Sequence, residues 1–516
     1  MNVLGSRRWW ALGALALVTL AVGVDGTVIN IALPTLANDL HASNSQLQWF
    51  VDAYLLVFAA LLLPAGLLGD RFGRKKMLIV GLVLFGASSA ACAYATSSGT
   101  LIAARSVLGL GGAFLMPLSL AVLPVLFTVE ERPTAIAVWV TAGAVSYPIG
   151  PVLGGWLLSN FWWGSVFLIN VPVTILATIA VIVLLPESRS EERPRIDIVG
   201  VFASSVGLAG LTYGVIEAGS KGWGGSGTLI PLFIGAGGLV AFMLWERHLT
   251  DSASGKPLID LGLFRSASFT WGTLLATIVS FAMFGVLFVT PQYFQAIGGS
   301  DALGTGVRLL PLIGGFLFGA GAANRAMPRV GAKLTVAIGF ALLAAGLGAG
   351  ALTGVASGYG FTAAWIVVVG LSLGFVMPAA MDAALSALSA ERSGVGSALI
   401  MALRQVGGVF GVALLGTMLN SAYRGHLDLT GVPAPAADAA QKSVSAGVAV
   451  AGQLGSTALL DTVRSAFVYG MDVMLGACGI IALVGIILTL VFLPRHSDAS
   501  DEAQVEQVGL EHEGVV

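Results

Sequence analysis

Residues 66–76 read GLLGDRFGRKK, and residues 326–333 read AMPRVGAK. Setting Arg71 on Arg329, Gly73 on Gly331 and Lys75 on Lys333 superposes two short, basic, glycine-centred turns, with Pro328 standing where the first copy has Asp70. Each turn falls between the second and third apolar run of a six-run set. Short basic turns recur in any chain that crosses a membrane several times. The shared spacing and the shared place in each set go further, and predict a parallel internal repeat of six helices.

The rest of the chain supplies the runs. Of its 516 residues, 56% are hydrophobic and 10% charged, and mean hydropathy is +0.91. A soluble domain needs about 25% charged residues to wet its surface. This chain cannot cover itself in water and calls for lipid. About 20 mostly apolar residues span a ~30 Å hydrocarbon core. By that measure fourteen runs stand out, at 11–33, 48–68, 77–96, 100–126, 134–158, 165–185, 198–218, 228–245, 268–291, 303–323, 333–353, 361–386, 396–420 and 466–493. The expected fold is therefore an all-α integral membrane protein with fourteen transmembrane helices: two six-helix bundles plus two inserted helices. Arg7 and Arg8 precede a first run too long for a signal peptide, so it is read as an uncleaved span.

Basic residues give the orientation, because cytoplasmic loops hold the excess. With the N-terminus inside, inner loops and tails collect roughly 18 of the 25 Lys and Arg and outer loops about 4. That bias predicts an even number of spans and both termini in the cytoplasm. The segments expected are a bundle over 1–185, a linker with the two inserted helices over 186–267, a second bundle over 268–493 with an extracellular loop at 421–465, and an acidic tail over 494–516. Within the loop, 436–451 and 456–466 read as short surface helices. The net charge of −2 gives no hint of nucleic acid. Cys92 and Cys478 lie in apolar runs and suit a packed core better than a disulfide or a metal. The histidines, His41, His248, His426, His496 and His512, fall in loops or tails, so no intramembrane metal site and no cofactor is expected.

Ionisable groups inside a span cost about 2.5–3.5 kcal/mol on insertion scales, so each is a functional candidate. At 1.5 Å per residue, Asp25 lies roughly 12 Å deep and Asp52 roughly 6 Å, with Arg105 at a comparable level. Asp25 or Asp52 beside Arg105 would supply a carboxylate whose charge is set by burial and a nearby cation. A static salt bridge is the plainer reading, and Arg105 is expected to tune an acid rather than touch substrate. In the second bundle Asp382 and Arg404 face one another across a short turn and could form a structural or gating ion pair. Arg308 and Asp472 read as interface residues.

Taken together, the chain resembles a major facilitator superfamily transporter of the fourteen-helix drug:proton antiporter type. The resemblance rests on four motifs. The first-helix motif is DGTVINIALP at 25–34. Motif A is Gly66, Gly69, Asp70, Arg71, Gly73, Arg74 and Lys75. Motif B is Arg105, Gly109, Gly111, Gly112 and Ala113. The exporter motif C is Gly150, Pro151, Gly154 and Gly155. Four residues before Gly150, where family members usually carry glycine, stands Ser146. The resemblance implies that acids at Asp25 and Asp52 handle protons or cationic drugs, that motif A takes part in gating, and that motif C seals the helix interface against proton leak. Glycines there also serve, on their own terms, as a packing face.

The chain holds no G-x-x-x-x-G-K-[ST] and no soluble segment long enough for an ATPase. The expectation is thus proton-coupled efflux of lipophilic, cationic drugs across the plasma membrane by alternating access, in a monomer. Its partners would be protons, small molecules and the bilayer. A dedicated exporter or importer of one metabolite or self-made antibiotic is the alternative. An embedded enzyme or channel would need clustered His, Cys or acids for catalysis, or a polar stripe along one helix, and the histidines in loops and tails argue against an intramembrane metal site.

Overall fold

The computed structural model describes residues 3–128, 131–189, 197–251, 259, 261–386 and 393–494. The acidic tail (Asp498, Asp501, Glu502, Glu506, Glu511, Glu513) and most of the charged linker at 190–196 fall outside them. Among the described residues the regular structure is entirely helical. The long helices are α1 (Val3–Asp39), α2 (Asn44–Phe72), α3 (Arg74–Ala93), α4 (Ser98–Ala121), α5 (Arg132–Asn160), α6 (Ser165–Leu184), α7 (Ile198–Lys221) and α8 (Ser226–Asp251). They continue with α9 (Ala267–Gln292), α10 (Leu310–Gly350), α11 (Tyr359–Leu385), α12 (Gly396–His426) and α13 (Thr457–Phe492).

Among the described residues, twelve helical stretches are long and apolar enough to cross a membrane. One of them, Ala302–Gly350, runs 49 residues, about twice the need of one crossing. Its path breaks at Gly331, where φ is 81°. Gly73, its partner in the aligned turns, has φ 115°. Side chains avoid that region, so glycine at both places is required by the backbone. The repeat seen in the letters is thus also a repeat of conformation.

Local sequence explains several helix starts. Ser43 with Gln46 and Ser97 with Thr100 form capping boxes at the starts of α2 and α4, and Asp197, Ser266 and Ser456 cap α7, α9 and α13. The weak run at 228–245 lies within a 26-residue helix. The loop after α12 holds two short helices, Ala434–Lys442 and Val444–Leu454, pinned where Tyr423 donates to the Ala440 carbonyl at 2.7 Å. A separate helix at 456–466 does not form. Capped by Ser456, those residues are the first turns of α13.

Helices α1–α6 pack together as one half and α9–α13 as the other, while α7 and α8 pair beside them, α7 lying on α2 and on the end of α12. The halves meet along α1 with α9, α2 with α12, and α5 with the short helix Ala302–Arg308. One end of the bundle carries the basic turns at 71–76 and 329–333 and is called the basic end here; the other is the distal end. The hydrogen bonds that cross the seam lie toward the distal end. Asn44 donates to Asn420 at 2.8 Å, Gln48 to the carbonyls of Val412 and Ala413 at 3.3 and 3.1 Å, and Gln295 to the Ile31 carbonyl at 3.1 Å. Gln48 reaches two carbonyls because α12 makes a π turn at Gly411–Leu415, which frees them from the helical ladder.

Candidate functional site

Asp25 on α1 and Arg105 on α4 are both fully buried and form an ion pair, with Nη1 2.6 Å from Oδ2. Asn170 on α6 donates to the other carboxylate oxygen at 3.0 Å and contacts Ser89 on α3, whose hydroxyl donates to the Phe167 carbonyl at 2.9 Å. The guanidinium also gives its Nε proton to the Phe50 carbonyl at 2.9 Å and stands 4.5 Å from the centre of the Tyr54 ring. Its Nη2 has no hydrogen-bond partner. Five helices are thereby tied into one network around the charge pair. A buried pair survives only when its remaining hydrogen-bonding capacity is largely met, and Asn170 and Phe50 do that here. Asn170 and Ser89 escaped sequence reading: single neutral polar residues in apolar runs carry little signal.

Of the two acids offered to Arg105, Asp25 takes it and Asp52 does not. Phe50 and Tyr54 put one face of α2 against α4, whereas Gln48 and Asp52, one turn apart, share the opposite face toward α12. Asp52 is fully buried and neither oxygen has a hydrogen-bond partner. It is therefore a carboxyl group at the seam between halves, not a member of the Arg105 cluster.

Motif A is held within the first half. Arg74 contacts Asp70 at 2.8 Å and donates to the Ala121 carbonyl at the end of α4 at 3.1 Å, where the helix dipole favours a cation. Asp70 thus holds an arginine rather than capping a helix; the N-cap of α3 is Gly73, with no side-chain bond. Glu187, after α6, accepts from the Lys75 backbone at 3.1 Å, and Lys75 Nζ donates to the Ile182 carbonyl at 2.8 Å. Gly69 faces Leu118 with no room for a methyl group, Gly66 lies near Pro117, and Arg71 is spread over the exposed Phe72.

The glycines of motifs B and C set helix spacing. Gly109 and Gly112 admit Tyr54 and Phe58 of α2, and Gly111 admits Phe85 of α3. On α5, Gly150 and Gly154 receive Thr27 and Val28 of α1. Ser146, the departure from the family pattern, packs into Gly23, so the small residue sits on the other helix of the same contact. Gly155 faces the other way. A methyl group there would meet the Ala302 carbonyl oxygen at 2.5 Å and Leu303 Cα at 2.8 Å, and Gly306 is pressed in turn against the Pro151 carbonyl. Backbone meets backbone across the seam.

Between the halves lies a narrow slot bordered by Thr27 and Pro151 on one side and by Leu287, Phe316, Met377 and Arg404 on the other. The expected ion pair with Asp382 does not form. Asp382 is exposed at the end of α11, while Arg404 points into the bundle, donating to Ser280 at 3.3 Å and toward the Met381 sulfur at 3.5 Å. Near the distal end Arg308 contacts Ser300 and lies 5.4 Å from the Tyr359 ring centre, as an interface residue would.

Two helical halves joined at a seam, with a slot between them, are the architecture of a membrane transporter. The sequence profile of the Major Facilitator Superfamily matches residues 15–412, and the chain belongs to that family. It is 34% identical to the tetracenomycin C resistance and export protein of Streptomyces glaucescens, over 98% of this chain and 94% of that one. It is 33% identical to the multidrug efflux pump LfrA of Mycolicibacterium smegmatis, over 90% and 92%. Among solved structures, an inward-facing, occupied bacterial homologue of the human lysosomal transporter Spinster aligns with a TM-score of 0.66 at 17% identity, covering 95% of this chain and 97% of that one.

Proposed function

We propose that the protein exports lipophilic compounds across the plasma membrane in exchange for protons, by rocking of the two halves about the slot. The observation that carries this is Asp52: a fully buried carboxyl with no partner, set at the seam that must open and close. A carboxylate isolated from water is costly, whereas the neutral acid is tolerated, so we assign a proton to Asp52 while the distal end is shut. Asp25 is the second acid of the path, its charge balanced by Arg105 until the halves move. The relatives named for resistance and efflux support the direction of transport. One is named for a single antibiotic and another for many drugs, so a dedicated exporter remains the second reading.

The topology proposed is fourteen spans, the twelve long stretches increased by α5 and by dividing Ala302–Gly350 at Gly331. The basic end is assigned to the cytoplasm with both termini, and the protein to a monomer. The segment limits proposed are 1–185, 186–267, 268–493 and 494–516. Asp25 and Asp52, the acids expected to meet a cationic cargo, do not line the slot.

The test is proton release from proteoliposomes on adding a panel of lipophilic compounds of either charge. Wild type should release protons with at least one compound, and Asp52→Asn and Asp25→Asn should abolish release. Full coupling in both variants would refute the assignment of the acids.

A further inference from the structure

Among the described residues, the one charged side chain bordering the slot is a cation. Arg404 lies about eight residues into its span, roughly 12 Å from the end, and is only partly buried. Its two hydrogen bonds, to Ser280 and Met381, are long and go to neutral atoms. Among the described residues no carboxylate lies within ion-pair distance of it. A guanidinium has five N–H donors, so most of its capacity is unspent on the described residues. The rest of the border is hydrocarbon, thioether and one hydroxyl, as Leu287, Phe316, Met377 and Thr27 illustrate.

The acids that could attract a cation are closed off on the N-terminal side. Asp25 has both oxygens engaged by Arg105 and Asn170, and Asp52 is fully buried beneath Gln48. An unpaired cation in an apolar membrane-level slot favours a ligand that brings the opposite charge.

We propose that the slot selects lipophilic compounds bearing an anionic group, such as a carboxylate, sulfonate or ionised phenol, seated on Arg404 with the apolar body between Leu287, Phe316 and Met377. This deepens the transport reading and rests on it. In the conformation described the slot holds about 60 Å³, room for a few waters, so cargo enters only when the halves part further. Parting leaves Arg404 attached to α12, on the half opposite Thr27, which makes occupancy sensitive to the rocking motion.

Tetraphenylborate and tetraphenylphosphonium have nearly the same shape and opposite charge. Their binding to the full-length protein in lipid nanodiscs, measured by equilibrium dialysis against empty nanodiscs, isolates the sign of charge. We expect the borate to bind more tightly, and Arg404→Gln to weaken it on the order of tenfold, as when a buried charge loses its counter-charge. The same substitution should leave the phosphonium bound as tightly or more tightly, since a like charge is removed, and Arg404→Lys should retain part of the borate affinity. Equal weakening of both ions would show a structural role for Arg404 and overturn the proposal. So would a wild-type preference for the phosphonium, a result that needs no variant to fold. Proton release from proteoliposomes separates the two levels. Release driven by the phosphonium alone would end the anion assignment and leave transport standing, whereas release by no compound of either charge would count against transport itself.

Discussion

Replacing Gly155 by alanine should push the distal end open. The added methyl group would lie 2.5 Å from the Ala302 carbonyl oxygen and 2.8 Å from Leu303 Cα, both backbone atoms that no rotamer change can move. Ordinary contacts at these atoms need roughly 0.5–1 Å more, so α5 and the Ala302–Arg308 helix must separate. Overpacking of this kind costs about 1–3 kcal/mol, and it is felt only where the halves touch. An equilibrium between distal-closed and distal-open forms would move about 5- to 150-fold toward the open form. Spin labels at Thr96→Cys and Ala356→Cys, exposed on distal turns of opposite halves, report the distance by double electron–electron resonance. Cys92 and Cys478 are buried and should stay unlabelled. Gly143→Ala is the matched control on the same helix, because its methyl group would meet Thr19 at an ordinary 3.5 Å. A distance distribution unchanged by Gly155→Ala, or shifted as far by Gly143→Ala, would refute the argument that Gly155 sets the closed seam.

Two further outcomes follow from the charge pair and the seam. Asp25→Asn should cost about 3–5 kcal/mol of stability, because it leaves Arg105 buried without its counter-charge. Adding Arg105→Gln should recover much of that, and unfolding in mixed micelles followed by tryptophan fluorescence would show a double variant no better than the single if the pair does not matter. Gln48→Ala removes both bonds to the π turn of α12, a loss of about 1–2 kcal/mol. The same spin-label pair should report more of the distal-open form, and no change would mean that these bonds survive the opening.

The class of protein was legible in the chain because hydropathy and length act locally: about 20 apolar residues make a span whatever lies beside them. Local too is the backbone demand at Gly73 and Gly331, which is why two turns far apart in sequence share the same pattern of letters. Side-chain caps fix several helix starts for the same reason; α13 begins at Thr457, ahead of the apolar run at 466–493, and Ser456 is the local cap that sets it. The site was legible only as an inventory. Asp25, Asp52, Arg105 and Arg404 stood out as costly charges, but a charge in a span does not say which way it faces. Arg105 takes Asp25, 80 positions away, and misses Asp52 because α2 presents Phe50 and Tyr54 to α4 and turns Asp52 toward α12. Arg404 leaves Asp382 for the slot because α11 ends with that acid in the open. Asn170, a lone amide in an apolar run, became a partner of the charge pair only when α6 packed beside α1. The sequence by itself determined the spans, the repeated turns and the short list of charges. Tertiary structure alone decided their pairing, because that depends on the rotation of each helix about its axis and on the spacing the glycines allow.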